Sequence, residues 1–281
     1  MQQFQYLQLE TSNICNMKCE YCFSQNLDHE RGQMSIEDIE QVLKQIGHRP
    51  MNDIRPFLNG DPLTEVRLPE ILKLIKTYTG ARTCIYTNGT ITRNRDFLIN
   101  PNLDDVKFTI SAATPETYAI VHRRPFFDIA VRNLEWFAQN KRPDQTLEVH
   151  LVTTDHNYHE LDAYPERFKQ YHPWVSPLAL NEGNMAAQKA SAISRDAFKE
   201  DLWKRFGTGK MPCVLYNNLT IDWRGRYMQC CNFYDSDQWN YGSIHDLTVD
   251  EAWAHRQANR LNNPICNSCN LRKPNFTDLL T

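Results

Sequence analysis

Cys15-Asn-Met-Lys-Cys19-Glu-Tyr-Cys22 is the stretch that decides the fold and the chemistry of this chain. It places three thiol groups on one short segment, directly after an apolar stretch at 5–11 that we predict to be a strand. Thiolates are soft ligands that suit iron–sulfur clusters or zinc. Three cysteines around one cubane leave the fourth iron without a protein ligand, so that a small molecule can chelate it. The alternative is a zinc knuckle, which needs a fourth ligand, and His29 is available.

The chain has nine cysteines, and their distribution argues against disulfides. The number is odd and no export signal precedes them, so metal ligation is the more usual reason for such clusters. Cys84 stands alone and is predicted to be a small core residue. A second group closes the chain and consists of Cys213, Cys230, Cys231, Cys266 and Cys269. A hairpin and a C-x-x-C pair suit either an iron–sulfur cluster or a structural zinc site, and the spacing leaves both open.

Length and charge narrow the function classes. With 281 residues, 41% of them hydrophobic, the chain suits one large domain, or one of about 200 residues with a small appendage. The net charge is −3 and the basic residues are dispersed, which argues against binding to nucleic acid or to a membrane surface. The first ten residues resemble neither a signal peptide nor a transit peptide, and no apolar stretch approaches the roughly 18 residues of a membrane span. We therefore expect a cytoplasmic protein.

Short apolar strands alternate with helical stretches between the two cysteine groups. The predicted strands cover 5–11, 53–59, 82–88, 105–111, 146–153 and 174–181. Six strand–helix units in series predict a parallel sheet with right-handed crossovers, and six are too few for a closed eight-stranded barrel. The predicted fold class is therefore α/β, a partial (β/α)6 barrel similar to a TIM barrel. We place the barrel at 1–182, a linker or bridging helix at 183–209 and a small cysteine-rich domain at 210–281.

Capping residues mark where helices begin. Ser35 and Asp38 form a capping box before an apolar run at helical spacing, and Thr114 followed by Pro115 opens a helix after the fourth strand. Further helices are predicted at 70–78, 128–139, 160–171 and 249–260, with a short hairpin around 223–226.

Strand alternation indicates which side chains face the barrel interior. The fourth and fifth strands each have one apolar face, which should pack under the helices. Their opposite faces, with that of the third strand, place Tyr86, Lys107, Glu148 and His150 inside, where we expect substrate contacts. Lys107 and Glu148 can equally form a buried ion pair without a catalytic role. His150 can equally be a hydrogen-bonded structural histidine.

The cysteine loop resembles the signature loop of the radical S-adenosylmethionine (SAM) superfamily. Cys15, Cys19 and Cys22 have its spacing, with Tyr21 before the last cysteine and Phe23 after it. Asn59-Gly60-Asp61-Pro62-Leu63 is similar to the family's glycine-rich motif, usually Gly-Gly-Glu-Pro-Leu, and 86–90 resembles the end of the family's third strand. Ser111 stands at a position that usually reaches the ribose of SAM. The stretch 118–124, followed by Phe126 and Phe127, resembles the segment after the fourth strand.

The resemblance implies a specific chemistry. Cys15, Cys19 and Cys22 would be the catalytic residues and would hold a [4Fe-4S] cluster whose open iron chelates SAM. Electron transfer into the sulfonium then yields a 5′-deoxyadenosyl radical that abstracts hydrogen from a substrate. The residues implied to bind these cofactors are Phe23, Asn59, Gly60, Asp61, Pro62, Asn88, Ser111 and Arg123.

The C-terminal segment resembles the extension called SPASM in its full form and twitch in its short form. The stretch from Gly225 through Cys230, then Tyr241-Gly242-Ser243-Ile244 and Ala252-Trp253, is similar to sulfatase-maturating enzymes and peptide maturases. The likeness implies one auxiliary [4Fe-4S] cluster, because no further cysteine follows Cys269. Its implied ligands are Cys213, Cys230, Cys266 and Cys269, with Cys231 as the rival of Cys230. We expect metal binding to supply part of the folding energy of this small segment.

Two substrate classes follow from these likenesses. The first is a peptide or protein in which a residue is oxidised, epimerised or cross-linked, as the SPASM/twitch resemblance implies. The alternative is a small molecule, such as an aminocyclitol or sugar oxidised to a ketone, since we expect no N-terminal module for gripping a leader peptide. A third interpretation is a zinc-stapled binding protein without catalysis. An enzyme of the first two kinds needs a low-potential electron donor such as flavodoxin or ferredoxin.

Overall fold

The computed structural model describes residues 4–22, 30–176, 178, 213, 215, 217–232, 240–259, 263, 266 and 269. Its first six strands are β1 (Tyr6–Leu9), β2 (Asp53–Arg55), β3 (Cys84–Thr87), β4 (Asp105–Thr109), β5 (Thr146–Val152) and β6 (Pro173–Ser176). Each lies at a predicted position and is shorter than predicted or shifted by a residue. β2 ends at Arg55 because Pro56 has no N–H to donate to a neighbouring strand.

The strands form one curved surface. β3, β4, β5 and β6 pair in chain order and in parallel, and a single parallel bridge from Ile54 to Thr83 joins β2 to this sheet. β1 pairs with β2 on one side and with β7 (Asn218–Ile221) on the other, both in parallel. β8 (Arg226–Met228) and β9 (Asn240–Ser243) continue the sheet antiparallel. The predicted partial barrel and the hairpin around 223–226 are confirmed.

Helices cover the outer face of the barrel. They are α1 (Ile36–Ile46), α2 (Leu68–Thr79), α3 (Pro115–Val121), α4 (Phe127–Asn140), α5 (Ala163–Phe168) and α6 (Val249–Asn259). Ser35 and Thr114 cap α1 and α3 as predicted, because their hydroxyls accept from Asp38 N and Thr117 N. Among the described residues, no helix is long and apolar enough to cross a membrane.

The single helix predicted at 160–171 is wrong. That segment contains a 3-10 turn at Tyr158–Glu160, the short helix α5, and a second 3-10 turn at Lys169–Tyr171. Pro165 explains the break. A proline is tolerated only in the first turn of a helix, since it lacks the N–H and its ring clashes with the preceding turn, so α5 cannot extend back to 160.

The expectation that metal binding supplies part of the folding energy of the C-terminal segment stays a prediction, and the structure shows a second contribution from apolar packing. β7 extends the sheet of the barrel, and α6 packs on α1 and β1 in one shared apolar core. The rings of Phe4 and Trp253 lie edge to face with centroids 5.5 Å apart, and Arg49 pairs with Asp250 at 2.7 Å. This part of the segment is therefore held by apolar packing in the core that it shares with α1 and β1. The boundary between the barrel and the cysteine-rich domain stays a prediction, and 183–209 lies outside the described residues.

Candidate active site and cluster sites

The first cysteine group lies on a loop after the carboxyl end of β1. Cys19 is buried, while Cys15 and Cys22 are partly exposed. Backbone bonds shape the loop: Cys22 N donates to Cys19 O at 3.1 Å, and Glu20 N donates to Val121 O at 2.8 Å. Burial, with Asp61 adding to it, raises the pKa of Cys15 to about 12, so a thiolate here needs a bound cation. This donor set fits an iron–sulfur cluster.

Gly60 locks the second-strand loop against the cysteine loop. A Cβ atom at this position would lie 2.6 Å from Ser12 O and 2.7 Å from Ile14 O, both of them backbone atoms. Asp61 N donates to Ile14 O at 2.9 Å. Only glycine therefore allows the backbone of the motif to approach the cysteine loop this closely.

The Asp61 carboxylate connects the ends of two strands. It accepts bonds from Asn88 N at 2.7 Å and from Leu63 N and Thr87 Oγ1 at 3.0 Å. Burial raises its pKa to about 6 although these donors favour the ionised form. Pro62 follows in a 3-10 turn that Asp61 caps. The Asp61 side chain thus holds the loop in shape. A cofactor contact through the backbone of 59–62 stays a prediction.

Glu10 connects the segment after β1 with the loops that contain Asn59 and Trp223. Its Oε1 accepts from Asn59 N at 2.9 Å and Asn59 Nδ2 at 2.7 Å, and its Oε2 accepts from Trp223 N at 3.2 Å. Burial raises the pKa of Glu10 to about 7. Asn59 Oδ1 is buried and has no partner among the described residues, which leaves an acceptor for a bound molecule.

Asn88 braces the cysteine loop. Its Nδ2 donates to Asn16 Oδ1 at 3.0 Å and lies 3.9 Å from Cys15 Sγ, while its Oδ1 accepts from Thr90 N at 2.9 Å. Asn16 Nδ2 donates in turn to Thr90 Oγ1 at 2.7 Å. The predicted SAM contact of Asn88 remains a prediction, but its side chain already has a role in orienting the loop.

Ser111 lies two residues after the end of β4 and contacts the cysteine loop. Its hydroxyl donates to Tyr21 Oη at 3.4 Å and accepts from Val152 N at 3.1 Å, and its own N donates to His122 Nε2 at 2.9 Å. His122 Nδ1 lies 3.1 Å from Cys19 Sγ. Nothing in the sequence pairs His122 with Cys19, which lies 103 residues away in the chain.

Arg123 adopts a left-handed backbone conformation with φ of 54° and its side chain is exposed. Its cofactor contact stays a prediction. Phe23 and His29 lie outside the described residues.

The four predicted substrate residues come together in one chamber inside the barrel. Lys107 Nζ lies 2.8 Å from Glu148 Oε2. It also lies 5.4 Å from the ring centroid of Tyr86 and 5.3 Å from that of Trp174. The His150 ring stacks on Trp174 at 3.8 Å, and His150 Nε2 lies 2.6 Å from Ser176 Oγ. Burial, with Lys107 adding to it, lowers the pKa of His150 to about 3, so the imidazole is neutral.

Arg55, which sequence reasoning missed, joins this chamber to the second cysteine group. Its guanidinium lies 4.8 and 5.8 Å from the ring centroids of Tyr6 and Tyr86 and pairs with Asp53 at 2.6 Å. It is also one of the cations that lower the pKa of Cys231. It is the last residue of the three-residue strand β2, and no sequence motif could have revealed it.

The cysteines of the second group accept hydrogen bonds from neighbouring amides. Leu215 N donates to Cys213 Sγ at 3.2 Å, Asn218 Nδ2 to Cys231 Sγ at 3.4 Å, Asn232 N to Cys230 Sγ at 3.5 Å and Gln229 Nε2 to Cys266 Sγ at 3.0 Å. Cys269 is partly exposed, like the others. Such N–H···S bonds stabilise thiolates, as cluster ligation requires.

Cys230 and Cys231 differ in their surroundings. A hydrogen bond from Cys230 lowers the pKa of Cys231 against the opposing effect of burial, and Arg55 and Arg256 act in the same direction. Cys230 instead shares with Cys15 and Cys213 a bond from the amide two residues further on. Cys230 therefore stays the proposed ligand, and Cys231 remains its rival.

Arg256 is a second residue that sequence reasoning missed. It is buried, with 2% of its surface exposed, and its Nε donates to Gln229 O at 2.9 Å while its Nη2 lies 3.4 Å from Leu215 O. One guanidinium thus holds the backbone beside Cys230 and the backbone beside Cys213. The sequence of α6 gives no sign that Arg256 is buried, because an arginine in a helix usually faces solvent.

The two cysteine groups lie at opposite ends of the barrel strands. The first follows the carboxyl end of β1. The second contacts Asn218, the first residue of β7, and Asn217 O accepts from the start of β1 at Gln5 and Tyr6. Since β1 and β7 run in parallel, the second group is at their amino ends, with the chamber between the two groups.

Comparisons with known proteins define the class. The Radical SAM superfamily model matches residues 9–165, more than half of the chain, so this chain belongs to the radical SAM superfamily. More particularly, it carries the SPASM iron–sulfur cluster-binding domain, matched over residues 213–270. The two matches imply a SAM-binding [4Fe-4S] cluster and an auxiliary iron–sulfur cluster, and the cysteines that would hold each of them stay a prediction.

Curated relatives resemble it at low identity. GTP 3′,8-cyclase of Chlorobaculum tepidum is 24% identical over 208 residues, covering 69% of this chain and 62% of that protein. Probable GTP 3′,8-cyclase of Methanothermobacter thermautotrophicus is 28% identical over 123 residues, covering 43% and 40%. This chain thus spans less than two thirds of the length of both relatives.

Solved structures share the fold. SuiB of Streptococcus suis bound to precursor peptide SuiA matches with a TM-score of 0.71 and 15% identity, over 96% of this chain and 70% of that one. Native anSMEcpe with bound AdoMet matches with 0.63 and 18%, over 88% and 80%. BtrN in complex with AdoMet and 2-DOIA matches with 0.57 and 16%, over 96% and 94%.

Proposed function

We propose that this enzyme is an oxidoreductase that removes a hydrogen atom and then one further electron from its substrate. The observation that supports this most directly is the position of the chamber between the two cysteine groups. When bound, the first cluster supplies the electron that cleaves SAM to a 5′-deoxyadenosyl radical, and the auxiliary cluster supplies a one-electron acceptor. The second step requires an acceptor near the substrate, which this arrangement offers.

The chamber residues have distinct proposed roles. Loss of a hydrogen atom leaves a substrate radical, and loss of a proton and an electron then completes a two-electron oxidation. Glu148, whose side chain is 35% exposed beside Lys107, is the proposed acceptor of that proton. The rings of Tyr86 and Trp174 confine the substrate and exclude water from the radical.

We propose a peptide as the substrate, with a residue oxidised in the chamber. The support is the SPASM domain together with the likeness to SuiB, which was solved with its precursor peptide. A cytoplasmic location and a low-potential donor such as flavodoxin or ferredoxin accompany this proposal.

A small polar molecule is the second candidate. The Lys107–Glu148 pair and the neutral His150 offer both donors and acceptors to hydroxyl, amine or phosphate groups. BtrN, crystallised with 2-DOIA, is matched over 94% of its length, and the curated relatives act on a nucleotide by their names. These likenesses favour a substrate of sugar, aminocyclitol or nucleotide chemistry.

Deuterium transfer distinguishes the two. The reconstituted enzyme is incubated with SAM and dithionite in two arms, one with a peptide library built from deuterated amino acids and one with deuterated glucose, an aminocyclitol and GTP. We expect deuterium in 5′-deoxyadenosine from the peptide arm. Label from the second arm alone would establish the small-molecule alternative. The Cys15, Cys19 and Cys22 triple Ala variant is the control and should form no 5′-deoxyadenosine in either arm.

A further inference from the structure

We propose that His122 donates an N–H···S hydrogen bond to Cys19 and thereby raises the reduction potential of the SAM-binding cluster. This is a positioning role for a residue to which the family resemblance assigns no function. It concerns the residues of this chain toward a cluster ligand, and it does not depend on the substrate.

The geometry fixes which ring nitrogen carries the proton. Ser111 N is a backbone amide and can only donate, and it lies 2.9 Å from His122 Nε2. Nε2 is therefore the acceptor, and in a neutral imidazole the single proton must be on Nδ1. Nδ1 lies 3.1 Å from Cys19 Sγ, well within the range of an N–H···S bond. A ring whose Nε2 accepts a hydrogen bond cannot be the doubly protonated imidazolium, so the ring is neutral.

The ring has little freedom to turn away. His122 is fully buried and follows the last residue of α3, where its N donates to Tyr118 O at 2.8 Å. The ring stacks on Tyr118 with centroids 4.1 Å apart and planes 19° apart, and Tyr21 meets its edge at 5.9 Å. A donor held by one stacked ring, by one T-shaped ring contact and by a hydrogen bond at Nε2 is preorganised for the sulfur.

The expected effect is on electron transfer into the cluster. Reduction adds negative charge that is shared with the cysteine sulfurs, so a donor to Cys19 stabilises the reduced form more than the oxidised form. Removal of this donor should therefore make reduction harder. The donors near Cys15 lie further away, with Met17 N at 3.5 Å and Asn88 Nδ2 at 3.9 Å from Cys15 Sγ.

Three variants separate the hydrogen bond from the packing. His122→Phe keeps the ring and removes both nitrogens. His122→Asn places an amide near Nδ1, so it keeps a donor for Cys19 and loses the acceptor for Ser111. His122→Gln reaches the position of Nε2, so it keeps an acceptor for Ser111 and loses the donor for Cys19. Tyr118→Phe is the matched control, since it removes a hydroxyl that has no partner among the described residues and leaves the stacked ring.

The readout is the midpoint potential of each cluster, from an EPR-monitored redox titration of the reconstituted full chain without substrate. We expect the reduction equilibrium of the SAM-binding cluster to fall about tenfold in the Phe and Gln variants, which is about 59 mV for one electron. The Asn variant and Tyr118→Phe should stay near the unmodified enzyme. The potential of the auxiliary cluster should not move in any of them.

Two results would overturn the proposal. One is an unchanged potential in Gln and Phe variants that contain their full iron. The other is an equal shift in the Asn and Gln variants, which would assign the effect to the Ser111 contact. If the Phe variant fails to take up iron, the Asn and Gln pair still decides. ENDOR of the reduced cluster in protein labelled with ¹⁵N-histidine should also show a nitrogen coupling that His122→Gln abolishes.

Discussion

Lys107 and Glu148 show at the residue scale how one pair supports two interpretations. The structure confirms the predicted ion pair, at 2.8 Å, with side chains 19% and 35% exposed. A pair that is partly open to solvent contributes only about 0–1 kcal/mol to stability. Stability alone is therefore a weak reason for two charged residues inside a barrel, and this favours a substrate role for Lys107 and Glu148.

Replacement of Lys107 by Met should separate these roles. We expect the free energy of unfolding to change by less than about 1 kcal/mol, because the Lys107–Glu148 ion pair is partly exposed to solvent. Deuterium transfer from substrate into 5′-deoxyadenosine should fall at least about tenfold, which corresponds to about 1.4 kcal/mol of lost transition-state stabilisation. Cleavage of SAM without substrate should continue. Lys76→Met, which loses an ion pair to Asp104 on the outer face, serves as control, and equal transfer in both variants would contradict the prediction.

At the scale of elements, the contact between two loops matters more than either loop. The cysteine loop and 59–62 are held together by Gly60 against Ser12 and Ile14, and by Asp61 N against Ile14 O. The cysteines can converge on one cluster only while this contact keeps the loop in place.

Gly60→Ala should separate the two loops. Its Cβ would meet backbone oxygens at 2.6 and 2.7 Å, and overpacking of this kind typically destabilises by about 1–3 kcal/mol. We expect a lower melting temperature and a loss of the SAM-binding cluster, to be measured by thermal unfolding and iron content. Gly47→Ala has free space but a φ of 55°, so this control should lose stability and keep both clusters. A fully loaded Gly60→Ala variant would show that the contact is dispensable.

Arg256 makes a comparable contact for the second group, between α6 and the backbone of Gln229 and Leu215. Arg256→Lys should fail to hold both carbonyls, because an ammonium lacks the planar fork of a guanidinium. We expect a loss of about 1.5–3 kcal/mol for a hydrogen-bonded charge and a selective loss of auxiliary iron. Arg82→Lys, at an exposed pair with Asp105, is the control. Unchanged iron content in Arg256→Lys would remove Arg256 from the cluster site.

The whole molecule combines two cluster sites on one sheet. β7 and α6 share the core of β1 and α1, so the described part of the C-terminal segment is held by apolar packing against the barrel. Loss of the auxiliary cluster should therefore leave the barrel folded. This independence makes the role of each cluster separately testable.

A Cys266 and Cys269 double Ala variant tests that role. We expect it to keep the first cluster and about four irons per chain, to cleave SAM, and to melt close to the unmodified enzyme. Product should be lost, because the substrate radical has no acceptor for its second electron. The Cys84→Ala variant, which alters a buried cysteine outside both groups, should retain both clusters and product. Normal product from the double variant would contradict electron transfer, and stoichiometric zinc in the unmodified enzyme would too, since zinc has no redox chemistry.

Local patterns in the sequence were enough for much of this enzyme. Cysteine spacing marked both cluster sites, alternation marked the inner faces of β4 and β5, and Ser35 and Thr114 marked helix starts, because each signal depends on residues a few positions apart. The predicted helix at 160–171 is wrong because helical spacing alone does not show that Pro165 interrupts the helix.

Only the tertiary structure decided how distant segments meet. His122 reaches Cys19 across 103 residues, Arg256 reaches Leu215 across 41, and β7 pairs with β1 instead of forming a separate appendage. Neither residue carries a local pattern, because a hydrogen bond to a sulfur or a carbonyl depends on where packing brings the partner. The same packing buries Glu10, Asp61 and His150, and burial is what shifts the pKa of each.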